Sequence, residues 1–308
     1  MCALFSSFVP NFDRLLKTAR TKAESHRPRA ALLFPDNIDA LTAFLKASAE
    51  GIIDPLLIGD ASALKKMLGG NIDPMKIEAA SHPGEAIEVA MRLIDAGAVD
   101  LLAQGGGDGT RMILDALTAN DSVFSPVSGL LSHVAVIKPT RYPRMLFVTD
   151  GLIHDEPNLK TKIALTANLV RVCKACGVTE PRTAAVTAVE AVYPQMPATV
   201  DGALMAKMSE RGQIKGLKID GPLSFDIAID PVAADAKGIK HSEVAGRADA
   251  LIASSRHVAA GIYQALSLFA ECELGGVLVG GRIPVATSFR TDSIDTRFHS
   301  IVLATLLA

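Results

Sequence analysis

The sequence predicts an α/β protein of two domains built on mostly parallel sheets, and three observations lead there. Short apolar runs alternate with amphipathic segments of helical period along most of the chain. The strand-like runs are continuously apolar, the pattern of strands covered on both faces. At 308 residues the chain also exceeds what one core ordinarily organises.

Taken in order, "RAALLFP" reads as a strand, "NIDALTAFLKASAEGI" as a helix and "DPLLIGD" as the next strand. "MKIEAAS", "PGEAIEVAMRLIDAGA" and "VDLLAQG" repeat the unit. After the strands "LSHVAVIKP" and "RMLFVTDG", a second set begins with the helix "NLKTKIALTANLVRVCKACG" and the strand "RTAAVTAVE". A helix around "TVDGALMAKMSERG", the strand "LKIDGP", another helix and the strand "ADALIAS" follow. The helix through "AAGIYQALSLFAE", the stretch "GGVLVGGRIPVATS" and the helix "SIDTRFHSIVLATLL" end the chain. In open α/β sheets ligands gather at the carboxyl ends of strands. That rule selects the loops 104–110, 149–157, 220–226 and 286–293.

Composition excludes several classes. A net charge of -2 lacks the concentrated basic face of a nucleic-acid binder, and the absence of Trp removes the best stacking platform. No apolar run approaches the roughly 20 residues of a membrane span. The first twenty residues, "MCALFSSFVPNFDRLLKTAR", lack the charged lead and cleavage site of a signal peptide. A cytoplasmic enzyme that binds neither nucleic acid nor membrane is the expectation.

Four cysteines are too few and too scattered for a disulfide framework. Cys173 and Cys176 form a C-x-x-C that closes a helix before Gly177, where the helix dipole opposes thiolate. Two half-buried small apolar residues therefore account for them better than a redox or metal pair. Asp150, His154, Asp155 and Glu156 could be read as metal ligands. Acidic composition at a helix start explains them more simply, and no metal is expected.

The glycine loop "QGGGDGT", residues 104–110, is the most conspicuous local motif. Glycines between a strand and a helix let backbone N–H groups approach an anion, so Gly105, Gly106 and Gly107 are candidate phosphate ligands. Gly-Gly-Asp-Gly-Thr resembles the nucleotide-binding loop of the NAD kinase and diacylglycerol kinase group. Ordinary turn chemistry, with Asp108 as a helix cap, explains the same letters.

Residues 180–230 resemble the phosphate acetyltransferase and phosphate butyryltransferase family. The likeness lies in Glu190, Pro194, Met196-Pro197-Ala198-Thr199, "KMSERGQIKG" and "DGPLSFDIA", and it extends over most of the chain. It implies two α/β domains around a cleft, with the architecture of the isocitrate and isopropylmalate dehydrogenases, and usually a homodimer. The first domain would comprise 1–139 plus 280–308, and the second 140–279. The implied reaction moves an acyl group between coenzyme A, a co-substrate, and inorganic phosphate, with no tightly bound cofactor. Such chemistry needs cations for phosphate and donors for a developing oxyanion.

The chain departs from the family pattern at several polar positions. Gln104 replaces a Lys, Pro126 an Arg and Phe289 a Ser, while Ser255–Ala260 replace an acidic loop. Arg290 remains as the expected anion ligand, with Asp292 and Ser293 after it. Ser288 comes one residue early and, by strand alternation, points to the opposite face from Phe289. Arg111, Arg256 and His257 lie where replacement groups could act, and His257 could equally cap a helix. Asp220, Gly221 and Pro222 of "DGPLSFD" either contact the acyl carrier or order their own backbone. Three readings follow: an acyltransferase of weakened or altered activity, an inactive homologue that binds acyl-CoA or another anion, and an enzyme turned to another phosphorylated substrate.

Overall fold

The computed structural model describes residues 10–69, 76–106, 115–116 and 129–308. Apart from Asp115 and Ala116, the helix expected after the glycine loop lies outside them, as do Gly107, Asp108, Arg111 and Pro126.

Every apolar run read as a strand forms one. The elements of the first set are α1 (Phe12–Ser25), β1 (Arg29–Leu33), α2 (Ile38–Ala49), β2 (Asp54–Gly59), α3 (Ala61–Met67), β3 (Lys76–Ala79), α4 (Pro83–Asp95) and β4 (Leu101–Gln104). Then come β5 (Ser132–Pro139), β6 (Leu146–Thr149), α5 (Leu159–Ala175), β7 (Arg182–Val186), α6 (Pro197–Glu210) and β8 (Lys218–Leu223). Two short helices, α7 (Phe225–Ile229) and α8 (Pro231–Ala236), stand where a single helix was expected. The chain closes with β9 (Ala250–Ala253), α9 (Arg256–Phe269), β10 (Cys272–Val279), β11 (Val285–Thr287) and α10 (Ile294–Leu307).

The described strands form one sheet in the order β3-β2-β1-β4-β11-β10-β5-β6-β9-β7-β8. Seven of its ten pairings are parallel; the β11–β10, β10–β5 and β5–β6 pairings are antiparallel. Consequently β4, β11 and β5 run one way and β6, β9, β7 and β8 the other. The eight-residue strands β5 and β10, paired from Ser132–Val279 to Pro139–Cys272, join the two sets.

Burial differs between the faces. On one face an unbroken apolar cluster runs from Leu32 and Ala103 through Val277 and Val134 to Phe147, Ile252 and Ala185. On it lies α10, buried around most of its circumference, as a helix apolar on all sides must be. The opposite face carries two separate clusters, one under α4 around Leu102, Leu278 and Val285, the other around Ala135, Val148 and Leu251 under α7 and α9. Between them stand His133, Gly276 and Thr287, so the apolar cover is interrupted in mid-sheet.

Cys173 and Cys176 are fully buried at the end of α5, deeper than the half-burial expected. Burial pushes the Cys176 thiol up to about 12 and Cys173 well above its ordinary value. Iodoacetamide at pH 8 should therefore leave both unmodified in the native protein, and mass spectrometry should find both alkylated only after denaturation.

Candidate active site

The interruption is filled from the carboxyl end of β11. Strand pairing places Ala286 beside Ala103, so Ser288 leaves the sheet next to Gln104, the last residue of β4. The Ser288 N–H donates to Gln104 Oε1 at 3.4 Å. From here the chain makes a tight turn, Phe289–Asp292, before Ser293 caps α10 by accepting from the Thr296 N–H.

Three buried side chains hold that turn. Asp292 accepts from the Phe289 N–H at 2.6 Å, while its own N–H donates to the Phe289 carbonyl at 3.1 Å. The Tyr263 hydroxyl, from α9, donates to the same carboxylate at 3.0 Å. On the other side Arg297 of α10, only 5% exposed, donates to Ser288 Oγ at 2.5 Å and to the carbonyls of Phe289 and Arg290 at 3.2 and 3.3 Å. Burial raises the Asp292 carboxyl, although the Phe289 N–H and Tyr263 hydroxyl pull it back. Burial, then the Asp292 charge, raises the Tyr263 phenol, which stays protonated as the donor this geometry requires.

Ser288 and Phe289 leave the strand on opposite faces, as alternation predicts. Ser288 turns to Arg297, whereas Phe289 packs on Tyr263, with ring centres 4.7 Å apart, and meets the edge of His133 at 6.2 Å. His133 lies over Gly276, where an added Cβ would stand 2.7 Å from its Nε2. Complete burial lowers the His133 imidazole to about 3, so it is neutral, and its Nδ1 has no hydrogen-bond partner. Phe289, Tyr263 and neutral His133 together make an uncharged aromatic wall beside the turn.

The end of β6 borders the same region. Thr149 donates to the His133 carbonyl, and Gly151 lies against the His133 ring. Asp150 Oδ1 accepts from the Leu152 and Ile153 N–H groups at 2.8 and 3.1 Å, leaving buried Oδ2 with no hydrogen-bond partner and 3.9 Å from His154 Nε2. Among the described residues no group of acids, histidines or cysteines is arranged to hold a metal ion.

Burial pushes the Asp150 carboxyl above the ordinary range, outweighing its two backbone donors. The folded state thus binds this proton more tightly than the unfolded chain does. Its ionisation costs stability as pH rises through the unfolded carboxyl's range toward the folded value. Asp150→Asn keeps the Oδ1 acceptor without the charge. We expect it to melt above the wild type at pH 7 and to converge with it near about pH 4, where the free carboxyl titrates; thermal denaturation at both values is the check.

The structure therefore gathers Gln104, Gly105, Gly106, Ser288, Arg290, Asp292 and Ser293 at the ends of β4 and β11. Arg290 occupies an exposed position on the turn. His257 is exposed on the first turn of α9, where Arg256 bonds the Asp155 carboxylate at 2.6 Å and anchors the helix to the 151–157 loop. Asp220, Gly221 and Pro222 are not part of this cluster, and they lie within β8 rather than in the expected loop. Edge strand β8 is six strand positions from β11, on the order of 29 Å along the sheet. There Gly221 and Pro222 press closely on Ala185 of β7 and Gly202 of α6. The sequence reading missed Arg297, Tyr263 and His133, and it considered Asp150 only as a metal ligand or a helix-start acid. One signal was available for Arg297, a lone guanidinium inside the apolar helix "SIDTRFHSIVLATLL".

Known proteins share this arrangement of the chain. Residues 73–305 match the family model described as phosphate acetyl/butaryl transferase. Phosphate butyryltransferase from Clostridium beijerinckii is 36% identical over 97% of this chain and 98% of its own length. The Clostridium acetobutylicum phosphate butyryltransferase is 33% identical over 97% and 99%. Among solved structures, a branched-chain phosphotransacylase from Enterococcus faecalis V583 superposes with a TM-score of 0.76 over 91% of this chain and 98% of that one, at 24% identity, a likeness of fold. Matched over three quarters of its length by the family model and end to end by these relatives, the chain belongs to the phosphate acetyl/butaryl transferase family.

Proposed function

We propose that the protein transfers an acyl group between coenzyme A and inorganic phosphate, with butyryl or a larger group preferred to acetyl. The observation that carries this reading is the nearly full-length likeness to phosphate butyryltransferases. It favours acyl transfer over an inactive anion binder or an enzyme for another phosphorylated substrate.

Chemically, the coenzyme A sulfur adds to the carbonyl carbon of the acyl phosphate, and the tetrahedral intermediate collapses by breaking the carbon–oxygen bond to phosphate. In this reading Arg290 holds the phosphoryl oxygens from the Phe289–Asp292 turn. Ser288 and Asp292 position that turn, and Ser293 presents the α10 N-terminus. Phe289 supplies an apolar wall for the acyl chain. Gly105 and Gly106 border the cleft, and His257 stands at its α9 side. Asp220, Gly221 and Pro222 take the packing role their contacts support. Transfer between two bound substrates relies on proximity and needs no resident cofactor.

We assign 1–139 plus 280–308 to one lobe and 140–279 to the other, in the manner of the isocitrate and isopropylmalate dehydrogenases, with β10 and β5 interleaved where the lobes meet at His133, Gly276 and Thr287. A cytoplasmic homodimer fits this reading. No described helix is long and apolar enough to cross a membrane. Val192, Tyr193, Met196 and Leu204, all exposed and apolar within 192–204, are surface a second copy could cover.

The test mixes acetyl, butyryl or octanoyl phosphate with coenzyme A and follows thioester formation. Turnover is expected, faster with butyryl than acetyl phosphate. No thioester from any of the three would overturn the proposal.

A further inference from the structure

A cavity of about 640 Å³ opens beside the β5–β6 turn and shares no lining residue with the cluster around Phe289. Its volume falls within the roughly 300–1,000 Å³ typical of small-molecule sites. The floor is apolar, made by Leu146, Phe225, Ile229, Leu266 and the ring of Tyr142. The Tyr142 hydroxyl is already bound, donating to the Ala248 carbonyl at 2.6 Å, so the ring is what the cavity meets. Apolar surface continues past the opening along α9, where Leu268 is 77% and Phe269 89% exposed.

Charge at the rim is one-sided. Arg141, Arg144 and Arg247 face a single lining carboxylate, Asp230. Arg144 is paired with Asp249 at 3.1 Å. Arg247 bonds only weakly to the Ser242 carbonyl, at 3.4 Å, and its charge reaches the exposed Glu243 carboxylate without a close ion pair. Two exposed guanidinium groups, neither in a close ion pair among the described residues, above an apolar floor match a ligand with an anionic head and an alkyl body.

We propose that this cavity is a second binding site, separate from the proposed acyl-transfer cleft, for a small amphipathic anion. The alkyl chain lies on Leu146, Phe225, Ile229 and Leu266, and a carboxylate or phosphate head lies on Arg141 and Arg247. This site does not depend on the acyl-transfer reading.

Titration calorimetry with octanoate, octyl phosphate and octan-1-ol tests it. Both anions should bind saturably, and the neutral alcohol at least about tenfold more weakly, the difference of roughly one charge-assisted hydrogen bond. The tighter anion identifies the natural head group as carboxylate or phosphate, and either supports the site. A double Arg141→Ala, Arg247→Ala variant should lose at least about tenfold for both anions, and Ile229→Trp, which fills the floor, should abolish binding. In Arg290→Ala the binding event that Ile229→Trp removes should persist, which separates this site from the cleft, where octyl phosphate can also bind. Three outcomes overturn the proposal: octanol binding as tightly as the anions, octanoate binding undiminished by Ile229→Trp in a protein melting like the wild type, or no binding. The double variant shifting the monomer–dimer balance while octanoate fails to bind would instead mark the cavity as a contact between copies.

Discussion

Arg290→Ala is expected to lower kcat/KM for acyl phosphate by about 10²-fold while moving the melting midpoint little. The magnitude follows from the one role given to this side chain. A charge-assisted, bidentate contact to phosphate is worth roughly 1.5–3 kcal/mol, which converts to about 10- to 150-fold in rate. The fold is spared because Arg297 grips the turn through the Phe289 and Arg290 carbonyls, and alanine keeps a carbonyl at the same place. Lysine at 290 should restore the charge without the planar fork, recovering part of the loss in KM and little of any loss in kcat. Steady-state kinetics of the three proteins, beside their melting curves, are the measurement. Wild-type kcat/KM in Arg290→Ala would move the phosphate site elsewhere. A collapse in stability with proportionate activity per folded molecule would make Arg290 a structural residue.

How far such a site could be foreseen depended on the period of the pattern that carried it. Strands were legible because both their faces are buried: Leu101-Leu102-Ala103 and Ala250-Leu251-Ile252-Ala253 are unbroken apolar runs, and β4 and β9 formed where the letters placed them. The 286–293 loop was legible because a strand ended there. Its supports were not, because Tyr263 and Arg297 come from helices before and after it and reach the turn only through tertiary packing. His133 was hidden for a related reason. Inside "SHVAVIKP" it reads as one more strand residue, and only the pairing of β5 with β10 sets it over Gly276. The "DGPL" stretch misled in the other direction. Asp, Gly and Pro in succession spell a turn, yet here they continue an edge strand. Gly221 fits there because a Cβ at that place would stand 2.7 Å from that of Ala185.

Gly105→Ala is the second large effect, and it separates two readings of the glycine loop. If Gly105 serves to bring its N–H to a phosphate, alanine retains that N–H and the loss should appear in turnover. The structure argues for a different use. A Cβ at 105 would stand 2.0 Å from the Leu33 carbonyl oxygen and 2.7 Å from the Pro35 backbone, and neither is the end of a flexible side chain. Leu33 is fixed by its pairing with Gln104 across β1 and β4, so relief requires separating two central strands. Gly106 repeats the constraint, with φ of 132° and the Asp36 carboxylate 2.3 Å from where a Cβ would lie. Overpacking of this kind costs about 3 kcal/mol, which in a chain of this size lowers the melting midpoint by roughly 5 °C. Calorimetry on the purified variant decides the matter: a Gly105→Ala protein that melts with the wild type and loses only turnover would return this glycine to the phosphate.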